Sequence, residues 1–172
     1  MVDFCIALAG DDIMSASRRR QEMANDSSSI NHTSYKPIRD RPIAVNIETK
    51  APASSNEEAK AQLSVWTIAY LKRLRSLACT SNSTLAVDVT IPVISVCGGK
   101  WELYFVRDKV DGMDVIPTFS IGSTDTLVGC YKIAAFLRHL GIWIQTVYRE
   151  WLLKNALAVE NIGEVGNTIF YV

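Results

Sequence analysis

The stretch Val45-Asn46-Ile47-Glu48-Thr49-Lys50 (VNIETK) decides how this chain is read. An apolar run ends abruptly in an acid and a base two residues apart. With Pro42-Ile43-Ala44 before it, the run predicts a strand over residues 42–50, with Pro42 at its edge. Side chains alternate along a strand, so Asn46, Glu48 and Lys50 share one face while Val45 and Ile47 share the other. Two explanations fit the charged end: a solvated strand terminus, or two parts of one metal-dependent site. Glu-x-Lys is common by chance, so spacing alone leaves both open.

Moving outward, APASSNEEAK turns the chain into a helix that runs to about Ala78. Ser55 with Glu58 three residues later fits a capping box. Leu63, Trp66, Ala69, Tyr70 and Leu74 form an apolar stripe at helical spacing, and Gln62, one turn before Trp66, borders it. Upstream, residues 2–9 (VDFCIALA) read as a strand carrying one acid, Asp3. Residues 10–40 are polar with little periodicity and read as one long loop, of which SSSINHT (27–33) is the least generic part.

Downstream, a turn-rich break at residues 80–84 precedes a strand over 85–97 that bends at Pro92. Gly98-Gly99 makes a hairpin-like turn into a strand over Trp101–Arg107, and Asp111-Gly112 makes another into Asp114–Ile121. Ser123 or Thr124 then opens a long helix to about Ala158, with Gly141 inside it as a point of loosening. A β-prone run, Thr168–Val172, follows. The element order predicts an α/β (α+β) layer domain, with helices covering a mixed sheet and one domain over residues 1–172.

The totals bound the function. The 172 residues are 48% hydrophobic and 21% charged with a formal net charge of zero, which gives no global pull toward nucleic acid or anionic membrane. Cys5, Cys79, Cys97 and Cys130 form no CxxC pair and read as isolated thiols in a reducing compartment. The N-terminus turns acidic at once, which makes a poor signal peptide, and no run approaches the ~18 apolar residues of a membrane span. The expectation is a soluble intracellular protein with no membrane partner, nucleus or cytoplasm open.

A phosphodiester nuclease using Mg²⁺ needs hard oxygen ligands at a strand end and an amine that places the attacking water. Glu48 and Lys50 supply one carboxylate and the amine. The Asp3 strand, running beside the Glu48 strand, brings a second carboxylate.

Several separated blocks add to this reading. The runs MVDFCIAL, SINHTSYKPIRDRPIAVNIETK and EEAKAQLSVWTIAYLKRL, and then VISVCGGKWELYFV and IGSTDTLVGCYKIAAFLRHLGIWIQTVYREWL, resemble in that order the fungal PD-(D/E)XK nuclease-like domain family. The resemblance implies a restriction-endonuclease-like core, a mixed central β-sheet flanked by helices. It implies Asp3 and Glu48 as the catalytic acids and metal ligands, Lys50 as the signature lysine, Gln62 as the polar cleft residue of the following helix, and Mg²⁺ or Mn²⁺ as cofactor. The family's Ser-Ile-Asn-x-Thr block maps onto Ser29, Ile30, Asn31 and Thr33. Asn31 and His32 either contact substrate or pin the loop over the sheet. The chain departs from the family in having Val2 before Asp3 and in lacking the usual N-terminal helical segment ahead of that strand.

The remaining candidates read more plainly. His139 is a helix-face residue, Lys72, Arg73 and Arg75 are a small basic patch at a helix end, either a solvated face that complements the helix dipole or a phosphate contact near the cleft, and Trp101, Trp143 and Trp151 belong to amphipathic elements. Three functions follow: a metal-dependent nuclease acting on DNA or RNA, a relative that binds or converts a small molecule in fungal secondary metabolism as a cyclase- or isomerase-like catalyst, or an inactive binding module. In the second, Asp3, Glu48 and Lys50 do acid–base work without metal. In the third, the long C-terminal helix pairs with a second copy.

Overall fold

A computed structural model describes residues 3–24, 29–51, 56–78, 86–109, 111–157 and 168–171. Among these residues six strands form one sheet in the order β5-β4-β3-β2-β1-β6. Their ranges are β1 Phe4–Ala9, β2 Ile43–Lys50, β3 Ile91–Cys97, β4 Lys100–Lys109, β5 Gly112–Ser123 and β6 Thr168–Tyr171. Only β2 and β3 run parallel; all other neighbours are antiparallel. The sheet is therefore mixed, and helices α1 (Asp11–Met23), α2 (Asn56–Ala78) and α3 (Leu127–Trp143) flank it.

The VNIETK run lies where alternation places it, in β2 at the centre of the sheet. Helix α2 makes the crossover that a parallel neighbour requires. Six of the eight β2 residues are buried, and the last two, Thr49 and Lys50, reach the half-open strand end. Pro92 sits inside β3 without breaking it. Its pairing with β2 begins only at Val93, so the missing N–H falls at the start of the strand. Residues 86–90 are not in the strand, so β3 begins later than its composition suggests. Gly98 and Gly99 have φ of 54° and 86°, the left-handed pair that a two-residue turn between β3 and β4 requires.

The segment read as a polar loop over residues 10–40 is corrected by α1. This helix hides a stripe of mixed character, Ile13, Ala16, Ser17, Arg20 and Gln21, which carries almost no apolar periodicity. Tertiary bonds hold it: the Arg20 guanidinium donates to Leu77 O (2.7 Å) and Ala156 O (3.1 Å), and Arg149 pairs with Asp12. A short 3₁₀ turn, Lys36–Ile38, follows.

The long C-terminal helix starts later than Ser123 or Thr124. Thr126 is its N-cap, with a side-chain oxygen that accepts from Gly129 N (3.0 Å). From α3 the helix continues through a π-turn at Ile144–Tyr148, one α-turn at Arg149–Trp151 and a second π-turn at Leu152–Ala156. The first π-turn begins three residues after Gly141, where the sequence suggested loosening. Ser55, Cys79, Ala158 and the break at residues 80–84 lie outside the described residues.

Leu127–Ala156 reaches a mean hydropathy of 1.3 over 18 residues, with 28% of that window buried. The expectation that no run approaches a membrane span is corrected to that extent: by length and composition this one helix is long and apolar enough. The reason is its outer face, where Leu127, Val128, Tyr131, Ile142 and Val147 are exposed while Ile133, Leu140 and Ile144 pack inward.

Candidate active site

β1 and β2 are antiparallel with Phe4 opposite Ile47, which sets Asp3, at the start of β1, beside the charged end of β2. Lys50 Nζ lies 2.8 Å from Glu48 Oε1. The Glu48 side chain is 1% exposed, and its second oxygen, Oε2, is buried with no partner. The Glu48 hydrogen bond raises the Lys50 pKa above its ordinary value; the carboxylates of Glu58 and Asp3 add to it. Lys50 is therefore a cation at neutral pH.

Asp3 is held differently. Its Oδ2 accepts from Thr49 N (2.9 Å) and from Thr49 Oγ1 (2.6 Å). The Thr49 side-chain bond is the main cause that lowers the Asp3 pKa, and the Lys50 charge acts in the same direction. Asp3 thus staples the start of β1 to the end of β2 and keeps a second oxygen outside that staple. The structure brings Asp3, Glu48 and Lys50 to one end of the β1–β2 pair. Gln62 is not joined to them. It is exposed on α2, one turn beyond Glu58, and makes no hydrogen bond to Glu48 or Lys50.

The loop block is organised around Asn31. Its Nδ2 donates to Ile38 O (2.6 Å) and Arg41 O (2.9 Å), and its Oδ1 accepts from Ile43 N (2.8 Å). Ser29 Oγ accepts from Asn31 N (3.1 Å). The amide is engaged on both sides by backbone, which supports the pinning reading of the block over substrate contact. His32 packs edge-on against Trp66 (ring centroids 4.6 Å) and tilted on Tyr70 (5.3 Å). Neither ring nitrogen has a partner, and burial pushes its pKa down to about 4. A neutral imidazole between two aromatic rings is a packing residue first.

The basic patch on α2 is also occupied internally. Arg73 donates to Ile30 O (3.1 Å) and to Ser29 O, and Arg75 holds Asp108 through two bonds of 2.7 Å. Of the three cations, Lys72 alone is exposed, so the patch supplies less free charge for phosphate than its sequence suggests. His139 is exposed, with Nδ1 at 2.8 Å from Ala135 O on its own helix. Trp101, Trp143 and Trp151 are partly buried against the core.

A family profile for the PD-(D/E)XK nuclease superfamily matches residues 1–149. The chain belongs to this superfamily. The mixed six-stranded sheet flanked by helices is consistent with its restriction-endonuclease-like fold. No curated protein and no solved structure matches the chain.

Nucleases of this superfamily typically use divalent metals. Among the described residues no group of three or more His, Cys, Asp and Glu side chains stands together as a ready metal cage. Mg²⁺ does not need one: it usually keeps several waters and binds through one or two carboxylates plus substrate phosphate. The unpartnered Glu48 Oε2 and the second oxygen of Asp3 are hard donors of that kind, so the residues present fit such an ion.

Sequence reasoning missed two polar residues on the Glu48 face of the sheet. Ser95 on β3 stands directly opposite Glu48, and Glu102 on β4 directly opposite Ser95. Paired residues on neighbouring strands project to the same face, so the three form one row under α2. Asn46, two residues before Glu48 on the same face, is fully buried with both amide atoms unpartnered. Asn46 was legible by alternation; Ser95 and Glu102 needed the register.

Proposed function

We propose that the chain is a divalent-metal-dependent nuclease that hydrolyses phosphodiester bonds in DNA or RNA, in the fungal PD-(D/E)XK nuclease-like branch that its sequence blocks resemble, and acts inside the cell. The observation that carries the reading is the Glu48–Lys50 pair on one strand face, with a buried Glu48 oxygen still lacking a partner. A buried, unpaired carboxylate oxygen is costly unless something binds it. Asp3 and Glu48 would hold Mg²⁺ or Mn²⁺. Such an ion, when bound, lowers the pKa of a coordinated water and offsets the charge of a phosphate.

The chain's own residues supply the rest. Lys50, 2.8 Å from Glu48 Oε1, donates to a water or to a phosphate oxygen and stabilises negative charge that develops there. Thr49 fixes the Asp3 carboxylate through two bonds, so the acid is oriented before substrate arrives. Gln62, exposed on α2, would reach the site only through substrate or water.

Cleavage of single- and double-stranded DNA and RNA with Mg²⁺ or Mn²⁺ tests this reading, beside Lys50→Ala and an EDTA control. Cleavage that requires metal and falls at least 100-fold in Lys50→Ala is expected. Absence of cleavage with every substrate and both metals would reject it.

A second reading has its own observation. Between α2 and the β3–β5 part of the sheet lies an apolar pocket of about 210 Å³, lined by Leu63, Val93, Tyr104, Val106, Met113 and Val115 among others. It favours a small apolar ligand, as expected of a member of the fold that binds or converts a small molecule. Saturable quenching of Trp fluorescence by small aromatic compounds, lost in Val93→Trp, tests it.

A further inference from the structure

We propose that Ser95 and Glu102 complete a divalent-cation site with Glu48, so that the ion is bound across three strands and not only at the ends of β1 and β2. The inference rests on the metal-dependent reading above and names ligands that it does not contain. The row Glu48–Ser95–Glu102 is fixed by the sheet: Glu48 pairs with Ser95 in the parallel β2–β3 ladder, and Ser95 with Glu102 in the antiparallel β3–β4 ladder. Neighbouring strands lie about 4.8 Å apart, so the two glutamate backbones flank Ser95 at a separation of roughly 10 Å.

Two independent observations point to a ligand in the row. The hydroxyl of Ser95 is buried with no partner on a residue only 1% exposed, and so is Oε2 of Glu48. Natural folds leave few such atoms, and an ordered water or a bound ion is a common account of them. Both are oxygens, and both lie on the face that Glu102 shares. Each glutamate is steadied through its other oxygen, Glu48 Oε1 by Lys50 (2.8 Å) and Glu102 Oε2 by Tyr104 OH (2.7 Å). One free oxygen from each acid and a hydroxyl between them form a hard-oxygen set. That set suits Mg²⁺ or Mn²⁺ and leaves the ion's remaining positions to water and phosphate.

The neighbouring polar residues fit the same picture. Asn46 adds an amide oxygen deeper along β2, where it can accept from a metal-bound water. Tyr104 is a positioning residue: its phenol holds Glu102 without touching the ion.

Mn²⁺ binding to the full chain, read by electron paramagnetic resonance and titration calorimetry, tests the inference without reference to cleavage. The variants are Glu48→Gln, Ser95→Ala, Glu102→Gln and Tyr104→Phe, with Glu150→Gln on the exposed face of the C-terminal helix as control. Circular dichroism melts establish that each is folded. Ser95→Ala removes only an unpartnered hydroxyl, so it keeps the test sound if Glu102→Gln fails to fold. The expected result is a Kd for Mn²⁺ raised at least tenfold by Ser95→Ala and by Glu102→Gln, and unchanged by Glu150→Gln. Wild-type affinity in Ser95→Ala and Glu102→Gln, with binding lost in Glu48→Gln, overturns this inference and leaves the metal-dependent reading intact. Binding weakened as expected in a protein that cleaves no nucleic acid supports the site and overturns the nuclease reading. A wild-type chain that binds no Mn²⁺ overturns both.

Discussion

The phenol oxygens of Tyr70 on α2 and Tyr148 on the first π-turn lie 2.7 Å apart, and both reach the carbonyl of Ile43 at the start of β2, at 2.5 and 2.7 Å. Two protons serve three contacts, in a site from which water is excluded. Burial raises the pKa of both hydroxyls, so both stay neutral through the physiological range. The cluster ties the two long helices to the strand that carries Glu48 and Lys50.

Tyr148→Phe removes one proton from that cluster and leaves Ile43 O with Tyr70 alone. A loss of about 1–2 kcal/mol in unfolding free energy is expected, with little change in the denaturant m-value. Urea melts of Tyr148→Phe, Tyr70→Phe and the double variant check it. Because the two phenols share one acceptor, the two single losses should not add in the double variant.

Asn31→Ala removes three bonds to backbone groups, leaving Ile43 N–H and two carbonyls to find other partners. The expected loss is about 3 kcal/mol, most of it the cost of the orphaned N–H. Asn31→Asp keeps the acceptor for Ile43 N but loses both donors, so it should fall between. Amide exchange at Ile43 locates the effect: protection drops in Asn31→Ala and holds in Asn31→Asp.

His32 makes the stability depend on pH in a defined window. Burial holds its folded pKa at about 4, while the unfolded chain titrates near the ordinary 6.5. Above 6.5 both states are neutral and the residue has no effect. Between 6.5 and 4 the unfolded chain takes up a proton that the folded chain refuses, so stability falls as pH drops. The full gap corresponds to at most about 3 kcal/mol. Asp3 works in a lower window: its carboxyl is held below the usual value, so its contribution is lost only under more acidic conditions. Urea melts at intervals from pH 7 to 4 check the window, and His32→Phe, which keeps an aromatic ring against Trp66 and Tyr70, should flatten the slope there.

These residues also mark what could be read from the sequence. The charged strand end, the crossover helix and the Gly98-Gly99 turn each carry a local signal: alternation, an apolar stripe, or two glycines at a left-handed turn. Helix α1 carries none, because its inner face uses Ser17, Arg20 and Gln21, and the carbonyls that hold Arg20 there lie more than 50 residues away. The site divides the same way. Glu48 and Lys50 are neighbours on one strand and were legible, whereas Ser95 and Glu102 come into one row with Glu48 only through register. Gln62 was named by the family resemblance, and helical spacing fixed its turn and not its distance from the carboxylates.

Register also governs the last prediction. Asp108 near the end of β4 is buried and gathers three bonds: two from the Arg75 guanidinium (2.7 Å each) and one from Val87 N (2.8 Å). Arg75 belongs to the last turn of α2, and Val87 leads into β3, so one carboxylate joins the end of the crossover helix to the strand that it precedes. Its bidentate geometry is the stronger form of a carboxylate–guanidinium pair. Asp108→Ala leaves the Val87 N–H unpaired, but the Arg75 guanidinium is 31% exposed and still bonded to Lys109 O, so an expected loss of about 1–3 kcal/mol follows. Arg75→Ala should cost more, about 3–5 kcal/mol, because it leaves the Asp108 carboxylate, 2% exposed, with the Val87 N–H as its one remaining partner of the three. Asp108→Asn keeps an acceptor for Val87 N and removes the charge, and should cost least. Thermal melts rank the three. Equal losses in Asp108→Ala and Arg75→Ala would mean that loss of the pair alone, and not the stranded carboxylate, sets the cost.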